Sequence, residues 1–164
     1  MAKKWTKPMT RPGFKRIAEE HRHLLEDVRP GVVEGIAIAA AEGDRSENAE
    51  YIYGKKRLRE LDKRLRYLTS LLKDVEVVDI EYLRNDRVDF GATVLIRNED
   101  GVEKSWTIVG VGEAEVERGE ISFKSPLAKV LMGKKVGDYA ELDLPAGPME
   151  YELLEVSYGQ SAKK

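Results

Sequence analysis

The chain has 164 residues, 41% hydrophobic and 35% charged, with a formal net charge of −2; that length allows one large domain or two small ones. It holds no cysteine and two histidines, which excludes disulfides, thiolate metal sites and cysteine nucleophiles and leaves little for a histidine-based metal site. No apolar run approaches the roughly 18 residues of a membrane span, and the basic segment Met1–Thr10 lacks the apolar stretch of a secretory signal, so a cytoplasmic protein with no membrane attachment is expected.

The small net charge hides an asymmetry. Residues 1–74 carry 17 Lys+Arg against 12 Asp+Glu, a balance of +5, whereas residues 75–164 carry 11 against 18, a balance of −7. The first half is rich in Leu, Ala, Glu, Lys and Arg, the second in Val, Ile, Thr, Tyr and Gly. A composition break near Asp74–Asp79 reads as a boundary between a helical unit and a sheet-containing one. The expected class is α+β, with a flexible tail over 1–9, a helical hairpin over 10–78 and a sheet domain over 79–164.

In chain order, Thr10 can cap a first helix that tolerates Pro12 in its opening turn. Phe14, Ile17, His21, Leu24 and Val28 then repeat in 3-4 steps. The register slips near Pro30, and Val32, Ile36 and Ala39 resume it after an insertion of one residue. Downstream, Leu58, Leu61, Leu65, Leu68, Leu72 and Val75 form a second heptad seam. Two such seams joined by a short polar segment bury each other most simply as an antiparallel hairpin of about 40 Å. Gly31, Gly35 and Gly54 each weaken a helix by about 1 kcal/mol against alanine, which makes the tip half the softer end. His21 falls in the seam, where a packed neutral imidazole is expected. His23 points to another face, badly placed to share a metal with it.

Between the helices lies Ala41-Glu42-Gly43-Asp44-Arg45-Ser46-Glu47-Asn48-Ala49-Glu50-Tyr51. Gly43 is a good helix terminator. Asp44 and Glu47 fit a helix start, with Asp as N-cap and Glu reaching back from the third helical position. The four acids Glu42, Asp44, Glu47 and Glu50 equally suit a hard divalent cation such as Mg²⁺, which takes one or two protein carboxylates. Spacing alone does not choose between these readings. Beyond the turn, residues 55–66 hold seven basic side chains against Glu60 and Asp62. Lys55, Lys56, Arg59, Lys63 and Arg66 share an arc of about 100° opposite the leucine seam, a stripe that suits either a solvated face or a phosphate-tracking one. Tyr51 and Tyr53 suit packing at the tip, or stacking on an unpaired base.

In the second half, β-prone runs occur at 75–80, 88–97, 102–109, 120–123, 139–144 and 149–156. Asn98-Glu99-Asp100-Gly101 and Pro145-Ala146-Gly147 read as hairpin turns. A short helix is predicted from Pro126 to Met132, capped by Ser125 and stopped by Gly133. Together these give a mainly antiparallel sheet wrapped on one short helix, with Trp106, Phe123 and Tyr139 as core or half-core residues.

The string Gly43 to Tyr51 closely resembles the tip motif of the GreA/GreB family of bacterial transcript cleavage factors. The likeness continues through Tyr51-Ile52-Tyr53-Gly54-Lys55-Lys56-Arg57-Leu58-Arg59-Glu60-Leu61-Asp62, in the manner of the GreB branch. It extends to Phe90-Gly91-Ala92 and Ser122-Phe123-Lys124-Ser125-Pro126-Leu127-Ala128, and spans about Thr10 to Tyr158. The resemblance implies a coiled-coil hairpin that enters the secondary channel of RNA polymerase and an FKBP-like second domain that grips the coiled coil at the channel rim. It places Asp44 and Glu47 at the active centre, holding a Mg²⁺ shared with the polymerase and tightly bound by no free factor. Lys55, Lys56, Arg59, Lys63 and Arg66 become contacts to the nascent RNA 3′ segment, and Ser122, Lys124, Ser125 and Pro126 contacts to the polymerase. GreB-type factors usually carry an acid where Lys124 stands, a charge reversal at a contact position.

The implied role is that of a monomeric accessory factor stimulating cleavage of backtracked RNA, not an enzyme on its own. Two alternatives share the architecture: a channel-binding inhibitor, which has no need of an RNA-holding stripe, and an FKBP-like prolyl isomerase or chaperone, which rests on fold analogy alone.

Overall fold

The computed structural model describes residues 3–43 and 47–159. The chain forms two compact units, one of Lys15–Lys73 and the other of the chain up to Phe14 joined by the chain from Asp74 onward. The α+β class read from the composition break is therefore present. Among the described residues, no helix is long and apolar enough to cross a membrane.

The first arm of the hairpin is α1 (Arg11–His23), one π turn (Leu24–Val28) and α2 (Arg29–Ala41). The Arg29 N–H donates to the Leu24 carbonyl, five residues back. This turn is the structural form of the one-residue slip in the heptad. Pro30 lacks an N–H and its ring crowds the carbonyl four residues earlier; a widened turn relieves that crowding and lets the apolar stripe resume on the same side. The second arm is α3 (Ala49–Leu72). Val32 packs with Leu61 and Leu65, flanked by Leu24, Val28, Ile36 and Leu58. The cross-arm partners run in opposite directions, Ile36 beside Gly54, Arg29 to Asp62 and His21 to Thr69, so the arms are antiparallel. At the far end of α3 the seam departs from the heptad: Leu71 is buried and Leu72 only half-buried.

His21 is half-buried, with Nε2 3.1 Å from Thr69 Oγ1. The Thr69 hydroxyl donates its own proton to the Leu65 carbonyl at 2.9 Å, so Nε2 carries the hydrogen and donates. His23 instead faces Asp27, 3.0 Å away on its own helix.

The other unit is built on β3 (Ala92–Asn98), β4 (Glu103–Val109), β5 (Glu120–Ser122), α4 (Pro126–Leu131), β6 (Tyr139–Leu144) and β7 (Gly147–Tyr158). The sheet order is β5-β4-β3-β7-β6, antiparallel except for the parallel β4–β5 pair. Ala128 and Leu131 of α4 are fully buried against Val94, Ile96, Ile108 and Leu153. Ser125 caps α4, accepting from the Ala128 N–H at 3.3 Å. Trp106 and Phe123 are half-buried as expected, but Tyr139 is 55% exposed, since the pleat turns it to the solvent side of β6 while Ala140 faces the core.

Of the segment 1–9, expected as a flexible tail, the described residues 3–9 contribute to this second unit. Pro8–Thr10 forms a strand, β1, parallel to β2 (Glu76–Val78), with Met9 only 2% exposed. Trp5 packs 5.2 Å from the Phe90 ring and donates from Nε1 to Asp89 at 2.9 Å. Parallel pairing joins segments far apart in sequence, and three residues are too few to show alternation.

Candidate functional site: the hairpin tip and the basic stripe

At the tip, α2 ends at Ala41 and Gly43 adopts φ +146°, the termination expected of it. The N-cap of α3 is Asn48, not Asp44. Its Oδ1 accepts from the Tyr51 N–H at 3.1 Å while its Nδ2 donates to the Ala39 carbonyl at 2.7 Å. A carboxylate can only accept, whereas the amide caps one helix and also donates to a last-turn carbonyl of the other, which the Glu42 N–H reaches as well at 3.2 Å. Glu47, expected at the third position of the helix, lies just before the cap. It is exposed and makes no hydrogen bond or ion pair with any described residue. The carboxylate is therefore not consumed in capping, and the start of α3 beside it presents the positive end of the helix dipole. Asp44 lies outside the described residues. Among the described residues, no three His, Asp or Glu side chains converge as a metal site. Glu47 offers one exposed carboxylate donor, which suits a hard cation that takes one or two protein carboxylates. Tyr53 is 67% exposed, not packed, and Tyr51 is half-buried.

Behind the tip, Lys55, Lys56, Arg59, Lys63 and Arg66 are all exposed. Among the described residues, none of the five closes an ion pair with a carboxylate. The flanking charges are handled differently. Arg64 grips Glu20 across the hairpin at 2.7 and 2.9 Å, and that hydrogen bond lowers the Glu20 pKa. Asp62, one of the two acids among the basic run, is held by Arg29 at 2.9 and 3.3 Å, which likewise lowers its pKa. Sequence reasoning missed both Asn48 and Arg29; the signals were an amide directly before the helical run and an arginine beside the register slip.

Ser122, Lys124, Ser125 and Pro126 come together on one turn of the other unit. The Lys124 N–H donates to Ser122 Oγ at 3.1 Å and its ammonium lies 5.8 Å from the Phe123 ring. Phe123 in turn meets Phe90 edge-on at 5.8 Å. Lys124 and Pro126 are exposed, so the turn presents its charge on a foot anchored in the core.

A family model described as "Transcription elongation factor, N-terminal" matches residues 7–77, and one described as "Transcription elongation factor, GreA/GreB, C-term" matches residues 83–158. A "Transcription elongation factor GreB" of Pasteurella multocida (strain Pm70) is 45% identical over 150 residues, covering 92% of this chain and 95% of that protein. A "Transcription elongation factor GreA" of Chelativorans sp. (strain BNC1) is 44% identical over 153 residues, covering 93% and 98%. Among solved structures, that of GreA factor homolog 1 of Thermus thermophilus is 20% identical with a TM-score of 0.44, covering 93% of this chain and 99% of that one.

Proposed function

The chain belongs to the GreA/GreB family of transcription elongation factors, and we propose that it acts on bacterial RNA polymerase by carrying its hairpin tip through the secondary channel to stimulate cleavage of backtracked nascent RNA. It works there as a monomeric, cytoplasmic accessory factor to the polymerase's own nuclease activity. The observation that carries this reading is an exposed Glu47 at the tip, followed along one helix face by five exposed cations, none of the six in an ion pair with a described residue. Asp44 and Glu47 would hold a Mg²⁺ shared with the polymerase; such an ion lowers the pKa of its water and stabilises the leaving oxygen in phosphodiester hydrolysis. The chain's own contribution is delivery. Asn48 fixes the start of α3 so that Glu47 projects from a stiff rod, and the stripe tracks the phosphates of the extruded 3′ segment. Ser122, Lys124, Ser125 and Pro126 form the contact to the channel rim.

Relatives named GreB and GreA are 45% and 44% identical and do not separate the two branches. The length of the stripe supports GreB-type behaviour. The test uses a stalled, backtracked polymerase complex. The wild-type protein should release short RNA pieces bearing the original 3′ end. Asp44→Asn with Glu47→Gln should abolish release while polymerase binding persists. Cleavage by the double variant at the wild-type rate would overturn the assignment of the two acids.

A further inference from the structure

We infer that Arg29 is a positioning residue for RNA: by holding Asp62 across the hairpin it keeps that acid from neutralising the basic stripe of α3. This rests on the reading of the stripe as an RNA-tracking face.

On α3, Asp62 follows Arg59 by three residues and precedes Arg66 by four, the spacings at which helix side chains meet. At 100° per residue it sits about 40° from Arg66 and about 60° from Arg59. An acid at that place is the default intrahelical partner of both. Among the described residues neither closes a hydrogen bond or ion pair with it, and Arg66 acts on the Asp62 carboxylate only through space, as the smallest of the influences that lower its pKa. Arg29 takes both Asp62 oxygens, from Nε at 2.9 Å and Nη2 at 3.3 Å. A two-pronged guanidinium–carboxylate contact is stronger and more directional than a surface i,i+4 pair. Arg66 is left exposed on the edge of the same groove, a cleft of about 440 Å³ that Asp62 and Arg29 also line.

The π turn is what brings Arg29 there. Arg29 closes that turn and lies three residues before Val32, the first seam position after the inserted residue, so its side chain flanks the seam and reaches Asp62 on α3. The register slip that Pro30 imposes on packing thus also sets the charge of the opposite helix.

The test measures, from 50 to 200 mM salt, the half-saturating concentration for RNA fragment release from backtracked polymerase. The proteins are wild type, Arg29→Ala, Arg29→Lys and the double variant Arg29→Ala/Asp62→Asn. A single-stranded RNA oligonucleotide titrated onto each full chain alone is the second arm. With Arg29 removed, Asp62 turns to Arg59 and Arg66 and cancels one cation. The log–log salt slope should then fall by about 0.7, about a 2.6-fold smaller change across that range. Arg29→Lys should keep the wild-type slope, and removing the acid in the double variant should restore it. A purely structural role for Arg29 predicts no rescue, because the cross-hairpin bond is still missing. An unchanged slope in Arg29→Ala, or a double variant as impaired as the single one, would overturn the inference. If the wild type releases no fragments, the proposed function fails while the oligonucleotide arm still decides the role of Arg29. No RNA binding in either arm overturns both.

Discussion

Glu113 is 2% exposed, and its carboxylate is placed by the start of the chain. The Thr10 N–H donates to it at 2.8 Å and the Gly110 N–H at 2.6 Å, the Thr10 hydroxyl donates to its other oxygen, and the Gly13 N–H donates to that hydroxyl oxygen at 3.2 Å. Thr10 therefore caps α1, as its position in the sequence suggests, and binds a buried acid that no periodicity reveals. A Cβ on Gly13 would lie 1.9 Å from the carboxylate, so Gly13→Ala should displace it and cost about 1–3 kcal/mol in denaturant unfolding. Burial pushes the Glu113 pKa above its ordinary value, against the three hydrogen bonds that pull it down. An acid raised in the folded state contributes stability that is whole below its unfolded pKa and is lost as pH rises through the folded one. Glu113→Gln keeps an oxygen for the two backbone donors but does not titrate. The stability advantage of wild type over this variant should therefore be greatest near pH 4 and shrink toward pH 7. An advantage that grew with pH would contradict the direction of the shift.

The two arms of the hairpin were readable because a helical seam is a local pattern, and even the π turn showed itself as one extra residue in the heptad. The cap was misread because Asp44-x-x-Glu47 and Asn48 are both sound helix starts by spacing, and only the reach of Asn48 to the Ala39 carbonyl decides between them. Gly54 was misread for a similar reason. In sequence it is a helix-weakening residue, but a Cβ there would stand 2.8 Å from Ile36 Cγ1, whereas Gly31 and Gly35 face open space. Gly54 is thus where the arms approach closely, and Ile36, branched at Cβ, has little freedom to yield. Gly35→Ala should raise stability by about 0.5–1 kcal/mol through backbone entropy. Gly54→Ala should gain the same entropy and lose more to overpacking, for a net loss of about 1 kcal/mol. Urea unfolding followed by far-ultraviolet circular dichroism separates the two signs, and equal gains at both positions would show that the arms can move apart freely.

Over the whole molecule, the order of segments in the sequence is not the order of packing. The composition break near Asp74 was legible because each side has its own residue preferences, yet the sheet unit also takes the chain up to Phe14. A fragment starting at Asp74 keeps all five strands of the main sheet. It loses β1, the Trp5 ring against Phe90 and both Thr10 donors to Glu113. Burying Met9 contributes about 2 kcal/mol, and leaving a buried carboxylate short of donors costs about 1–3 kcal/mol more. The 74–164 fragment should therefore unfold at markedly lower urea than the same unit in the full chain, by about 3 kcal/mol or more. A synthetic peptide of residues 1–14 should raise its midpoint in proportion to the logarithm of peptide concentration, as linkage requires, and a Thr10→Val peptide should do so less well, having lost the hydroxyl that meets Glu113. If the fragment alone matched the full chain and ignored the peptide, the N-terminal strand would be an ornament of the sheet unit rather than one of its walls.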